Sequence, residues 1–248
     1  MSRVILIASG KGGVGKTTLT ANLAGALSRF HRVLAIDGDV EMCNLDIVLG
    51  MRRNRVLDSE DLFSGRCSVE QVVCTHPKHE NLSLLFAPFH LELPESDFYS
   101  ALRRFVLEQR SLYDFILIDC PSGIGAALRC LADMRFELII VATPDATSVS
   151  DGEKTAAFAF SVGMTSVRLV VNRIRTDLIR KGAAPNIDEI MDGVCLPLLG
   201  LIPDDDRIIA AQNEGVLLMD VSRAKVRRAF ENISRRIEGK ETEFYHFK

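Results

Sequence analysis

Seven short, mainly apolar runs punctuate the chain, at residues 4–8, 33–36, 82–87, 115–118, 138–142, 169–171 and 198–202. They do not alternate apolar with polar side chains, so each suits a strand buried on both faces, as in a parallel sheet. Helical candidates fill the stretches between them, including 16–30, 96–109, 148–162 and 223–238. This alternation predicts an α/β fold with a doubly wound, mainly parallel sheet and helices on both faces. No Pro/Ser-rich linker, repeat or low-complexity segment divides the chain, so residues 1–248 are expected to form a single domain, with 239–248 a flexible tail. In such a sheet, ligands sit at the carboxyl ends of the strands.

The first apolar run leads directly into Gly10-Lys11-Gly12-Gly13-Val14-Gly15-Lys16-Thr17-Thr18. Gly10, Gly15, Lys16 and Thr17 satisfy the phosphate-binding loop pattern in the context it requires, after a strand and opening a helix. Glycines let successive backbone N–H groups, here Gly12 through Lys16, approach a triphosphate as an anion nest at a helix N-terminus. Lys16 then reaches the β- and γ-phosphates, and the Thr17 hydroxyl ligates Mg²⁺. Thr18 is placed for the α-phosphate. The expected cofactors are therefore ATP and Mg²⁺.

Acidic residues end two further runs. Asp37-Gly38-Asp39 closes the second, where a carboxylate can hold a metal-bound water or orient the attacking water. Either aspartate alone also reads as a turn residue. Asp119 ends the run Phe115-Ile116-Leu117-Ile118 and precedes Cys120-Pro121-Ser122-Gly123, a good candidate for the acidic strand-end partner of the loop.

With its early lysine, the loop resembles the deviant Walker A loop of the MinD/ParA family of ATPases. The likeness extends along nearly the whole chain, through Asp37-Gly38-Asp39, Asn44-Leu45-Asp46 and Gly50, Glu80-Asn81-Leu82, Asp119 to Ile124, and Pro144-Asp145 through Asp151. It favours the MinD side of the family, because the Pro-Gln-Gly run usual in the ParA branch is missing. The resemblance implies that Lys11 reaches the partner's phosphates across a nucleotide-sandwiched homodimer. Asp39 would be catalytic with Lys11 and Lys16, Asp37 would stand on the magnesium side, and Asp119 would sense metal and γ-phosphate. Asn172, Arg173, Pro203 and Asp204 would hold the adenine. Asp151 would pair with Lys11 in the resting monomer. Gly38 replaces a bulkier residue and would loosen the segment it sits in. The implied activity is ATP hydrolysis in a spatial switch for placing the division septum, with a MinC-like inhibitor and a MinE-like or other activator as partners.

Composition narrows the alternatives. A net charge of −3 gives no general support for nucleic-acid binding, so specific nucleic acid is not expected. A ParA-like DNA-positioning ATPase would need a basic patch; Arg52-Arg53-Asn54-Arg55 is the nearest candidate, and it reads first as a solvated loop. An FlhG-type ATPase carries a helix ahead of the first strand, whereas an apolar strand here starts at residue 3 or 4. A metal- or cofactor-inserting ATPase needs paired thiolates, and the six cysteines are scattered, reading as reduced and mostly buried. No stretch approaches the ~18 apolar residues of a membrane span and no signal peptide stands out, so a cytoplasmic protein, at most peripheral at the inner membrane face, is expected. Val226, Phe230, Ile233 and Ile237 form one helical stripe opposite arginines 223, 227, 228, 235 and 236. That stripe is expected to pack on the sheet, which leaves membrane contact weak.

Overall fold

The computed structural model describes residues 2–51, 57–133, 135–221 and 225–247. Eight strands form one sheet: β1 Arg3–Ala8, β2 Val33–Asp37, β3 Val73–His76, β4 His79–Leu85, β5 Phe115–Asp119, β6 Glu137–Ala142, β7 Val167–Ile174 and β8 Leu198–Pro203. The strand order is β3-β4-β2-β5-β1-β6-β7-β8, parallel throughout except for the antiparallel β3–β4 pair. The cluster Arg52 to Arg55, and Arg223, lie outside the described residues.

The longer helices are α1 Lys16–Ser28, α5 Glu95–Gln109, α7 Ala146–Ser161 and α11 Arg227–Ile237. Shorter ones are α2 Leu45–Leu49, α3 Ser59–Phe63, α4 Val69–Val72, α6 Ala126–Leu131, α8 Thr176–Arg180, α9 Ile187–Val194 and α10 Asp206–Glu214. Continuous apolar strands have the consequence read from the sequence. In β1, Val4, Leu6 and Ala8 enter the core cluster on one face, with α5, α6, α7 and α9, while Ile5 and Ile7 enter the cluster on the other, with α1, α2 and α11. Val226, Phe230, Ile233 and Ile237 are at most 1% exposed, so the basic-backed stripe is core, as expected.

Three features depart from the pattern reading. β3 is an antiparallel edge strand of four residues, Val-Cys-Thr-His, too short and mixed to show periodicity; its pairing with β4 supplies the strand. Cysteine burial is also lower than expected. Among the six cysteines, none of them in a disulfide, Cys120 alone is buried, and Cys195 caps α9 exposed with φ 57°. The expected loose tail instead folds back on α11. Asn232 Nδ2 donates to the Glu243 carbonyl at 3.0 Å and Arg236 Nη1 to that of Thr242 at 2.9 Å, while Phe244, Tyr245 and Phe247 pack against the core. Covering apolar rings outweighs the freedom of a short polar segment here.

Candidate functional site

β1 lies between β5 and β6, so the chain leaves it to one side through β2 and returns on the other through β6. The crevice at that reversal is where an open α/β sheet binds ligands. Residues 9–15 wrap the carboxyl end of β1 and open α1, whose N-terminal residue Lys16 is buried. Gly15 shows why the loop needs glycine: its φ is 99°, and a Cβ there would stand 2.2 Å from Asn172 Nδ2. The Asn172 amide donates to the Val14 carbonyl at 2.7 Å, so the end of β7 braces the loop.

Parallel registers bring the acidic residues together. Ile7 pairs with Asp119 across β1–β5, and Asp37 pairs with Asp119 across β2–β5. Both carboxyls are buried. Asp119 accepts from Thr17 Oγ1 at 2.6 Å and from Thr20 Oγ1 at 3.3 Å. Burial raises its pKa to about 7, against the hydroxyl donors and the Lys16 charge. Burial and then the Asp119 charge raise Asp37 to about 8, although the backbone N–H groups of Leu45 and Asp39 donate to it at 3.1 and 3.2 Å. Two buried carboxyls beside a buried lysine and a threonine hydroxyl form a site suited to a hard divalent cation. The residues present therefore fit Mg²⁺. Among the described residues no cluster of His, Cys, Asp or Glu could cage a metal by itself.

Asp39 is half-buried, and its carboxylate accepts from the N–H groups of Glu41 and Met42 at 3.3 and 3.1 Å, closing the turn into Cys43, whose φ is 44°. Gly38 does not loosen this segment. Its N–H donates to the Asp119 carbonyl at 2.9 Å, the Tyr99 hydroxyl donates to its carbonyl at 3.0 Å, and a Cβ would stand 2.8 Å from the Asp119 oxygen. The contact between β2 and β5 ends excludes a larger residue.

Lys11 also finds a different partner from the one expected. Its Nζ lies 3.0 Å from Thr147 Oγ1 and 3.4 Å from Asp145 Oδ1, whereas Asp151 pairs with Lys154 at 3.0 Å. Burial disfavours the Asp145 carboxylate, but donors from Thr143, Thr147, the Ser148 N–H and Lys11 outweigh it and hold its pKa well below the usual range. Asp145 caps α7, whereas Asp151, six residues on, packs its backbone against Gly10 of the loop and gives its carboxylate to Lys154. Sequence reasoning also missed Gln212, whose Nε2 donates to Thr18 Oγ1 at 2.5 Å, and Thr20. A polar residue buried one helical turn after the loop, as Thr20 is, was a readable signal; Gln212 was not, being 194 positions away. Arg173 has φ 56°, a left-handed conformation rare outside glycine, directly after Asn172. Pro203 ends β8, and the Asp204 N–H donates to the Ile174 carbonyl at 3.0 Å, tying the two candidate base-binding segments together.

A parallel sheet with a phosphate loop after its central strand and an acidic residue at the end of the adjacent one defines a P-loop nucleoside triphosphatase. The CobQ/CobB/MinD/ParA nucleotide binding domain matches residues 5–218. The septum site-determining protein MinD of Synechocystis is 35% identical over 251 residues, covering 100% of this chain and 93% of its own. Among solved structures, MinD in the MinC:MinD cell division complex of Aquifex aeolicus superposes with a TM-score of 0.87 at 28% identity over 100% of both chains. MinD of Pyrococcus horikoshii complexed with Mg-ADP superposes at 0.84 with 30% identity over 96% of each. The chain belongs to the CobQ/CobB/MinD/ParA family, within its MinD group.

Proposed function

We infer that this protein is a MinD-type ATPase that converts ATP to ADP and phosphate and serves as a spatial switch in division-septum placement. The observation that carries the reading is the junction of loop and acidic strand ends: Thr17 bonded to Asp119, with Asp37 in register beside it. Gly10 through Thr18 bind the phosphates through backbone N–H groups and the Lys16 ammonium. Thr17, Asp37 and Asp119 hold Mg²⁺, which when bound neutralises charge on the β- and γ-phosphate oxygens. A bound cation would be held by the Thr17 hydroxyl and the Asp119 and Asp37 carboxylates, which its charge would favour in their ionised form.

Asp39 orients the attacking water. Its carboxylate is already fixed by two backbone donors at the start of the turn into Cys43. Lys11 acts in trans. In the monomer it rests on Asp145 and Thr147, and on dimerisation it leaves them for the partner's phosphates. Exposed Met42, in the turn that Asp39 caps, gives this face apolar area for a second copy. Asn172, Arg173, Pro203 and Asp204 bind the adenine. A MinC-like inhibitor binds the ATP-bound dimer, and a MinE-like or other protein activates hydrolysis. Among the described residues no helix is long and apolar enough to cross a membrane. The buried stripe of α11 leaves little apolar area for lipid, so we place the protein in the cytoplasm with weak contact at the inner membrane face.

Asp39→Ala tests the division of labour. It keeps ATP, hydrolyses it poorly and accumulates a dimer visible by size-exclusion chromatography. Wild-type turnover in this variant would remove Asp39 from the chemistry.

A further inference from the structure

The carboxyl ends of β7 and β8 line an open pocket of about 310 Å³. Its walls come from three distant parts of the chain: residues 174–177 at the end of β7, Pro203 and Asp204 at the end of β8, and Tyr245 and Phe247 of the C-terminal tail. The tail reaches it by a defined route. Asn232 and Arg236 of α11 hold the carbonyls of Glu243 and Thr242, and the Arg236 guanidinium lies 3.8 Å from the centre of the Phe244 ring. Tyr245 then packs against both apolar clusters, one on each face of the sheet, so the tail crosses the edge strand β8 at its carboxyl end. There the Tyr245 and Phe247 rings meet edge to face, 5.2 Å apart.

The chemistry of this slot is specific. It offers two aromatic rings and a proline face for a flat apolar surface, and the Asp204 and Asp177 carboxylates as acceptors at its rim. Its two turns are joined by the Asp204 N–H on the Ile174 carbonyl, and the turn after β7 is braced within itself by the Arg175–Asp177 ion pair at 2.9 Å. A planar heteroaromatic ring carrying an amino group fits such a mixture of apolar walls and few acceptors. The strained Arg173 and the loop-bracing Asn172 immediately precede the wall from β7, which ties that wall to the phosphate loop.

We propose that Tyr245 and Phe247 are the outer wall of the base-binding slot, making the C-terminal tail a specificity-determining part of the nucleotide site. The proposal rests on the nucleotide reading above. It gives the tail a role in ligand binding, and it explains why aromatic residues end the tail beside Pro203 instead of dispersing into solvent.

The chain contains no tryptophan, so Tyr245→Trp places a single emitter at the slot. Its fluorescence should shift saturably with ATP and stay unchanged with inorganic tripolyphosphate, which fills the loop but carries no base. By calorimetry, the double variant Tyr245→Ser/Phe247→Ser should bind ATP about tenfold more weakly than wild type, the loss expected for two aromatic contacts. Its tripolyphosphate affinity should stay within about twofold, and Tyr245→Phe should bind ATP like wild type. Equal ATP affinity in the double-serine variant and wild type, or identical Trp responses to the two ligands, overturns the proposal while leaving the loop reading intact. Lys16→Ala separates the two, since unchanged binding of both ligands in that variant would instead defeat the loop reading. If the double-serine variant fails to fold by circular dichroism, the Trp titration alone decides.

Discussion

Asp119→Asn asks whether the acidic strand ends are held ready for a cation at the cost of stability in the nucleotide-free protein. Burial places the Asp119 pKa at about 7, against an ordinary value of 3.8. The folded state therefore holds this proton over a range in which the unfolded chain has released it. Stability is greatest below about pH 4 for this group, falls as the pH rises towards 7, and is flat above that. Three pKa units at about 1.4 kcal/mol each put the penalty near 4 kcal/mol at pH 8. Asparagine carries no charge to desolvate, so it removes that penalty. The hydroxyl bonds from Thr17 and Thr20 are already contained in that net shift. The gain is therefore about 4 kcal/mol at pH 8, a rise in melting temperature of about 8–16 °C for a chain of this size. At pH 5 the native carboxyl keeps its proton and only the unfolded chain has released one, so the gain should fall to about 2 kcal/mol. Melting curves by circular dichroism in chelator at both pH values test this, with Mg²⁺-dependent ATP turnover, which the variant should lose. A variant that is no more stable than wild type at pH 8, or shifted equally at both pH values, would refute the reasoning.

Lys16→Ala removes the buried ammonium nearest the phosphates, so ATP binding by calorimetry and turnover should both fail. Lys11→Ala should still bind nucleotide as a monomer but lose dimerisation and slow hydrolysis on the order of 10³-fold or more, as for loss of a charge supplied in trans. Wild-type turnover in that variant would leave the P-loop standing and dismiss the trans lysine. Ile233→Ala, at a side chain 1% exposed beneath β8, should lower stability by about 2–5 kcal/mol in urea titration. An α11 that served as a lipid anchor would show no such loss.

The class of fold was legible because each central strand is apolar on both faces, a pattern that a parallel sheet between helix layers satisfies and a half-exposed sheet does not. The phosphate loop was legible for a related reason. Backbone approach to a triphosphate restricts residue types locally, so Gly15, Lys16 and Thr17 carry their meaning within a few positions. Strand ends were read to within a few residues, and β3 was not read at all, because its four residues become a strand by pairing with β4. Everything that depends on distant segments meeting was decided by the tertiary structure. The register of β2 against β5 sets Asp37 beside Asp119 and makes their charges costly; neither aspartate's sequence neighbours reveal that. Lys11 meets Asp145, the cap of α7, and not Asp151, a choice between two nearby aspartates that the fold makes. Gly38 looked like looseness in one dimension and is a tight crossing in three, where the β5 backbone leaves no room for a Cβ. Likewise the aromatic end of the chain, which reads as a short unstructured tail, gains its place only once the edge of β8 and the turns after β7 and β8 exist to receive it. Local sequence fixes what a backbone segment can do alone, whereas burial, charge proximity and close approach are properties of pairs of segments that only folding brings into contact.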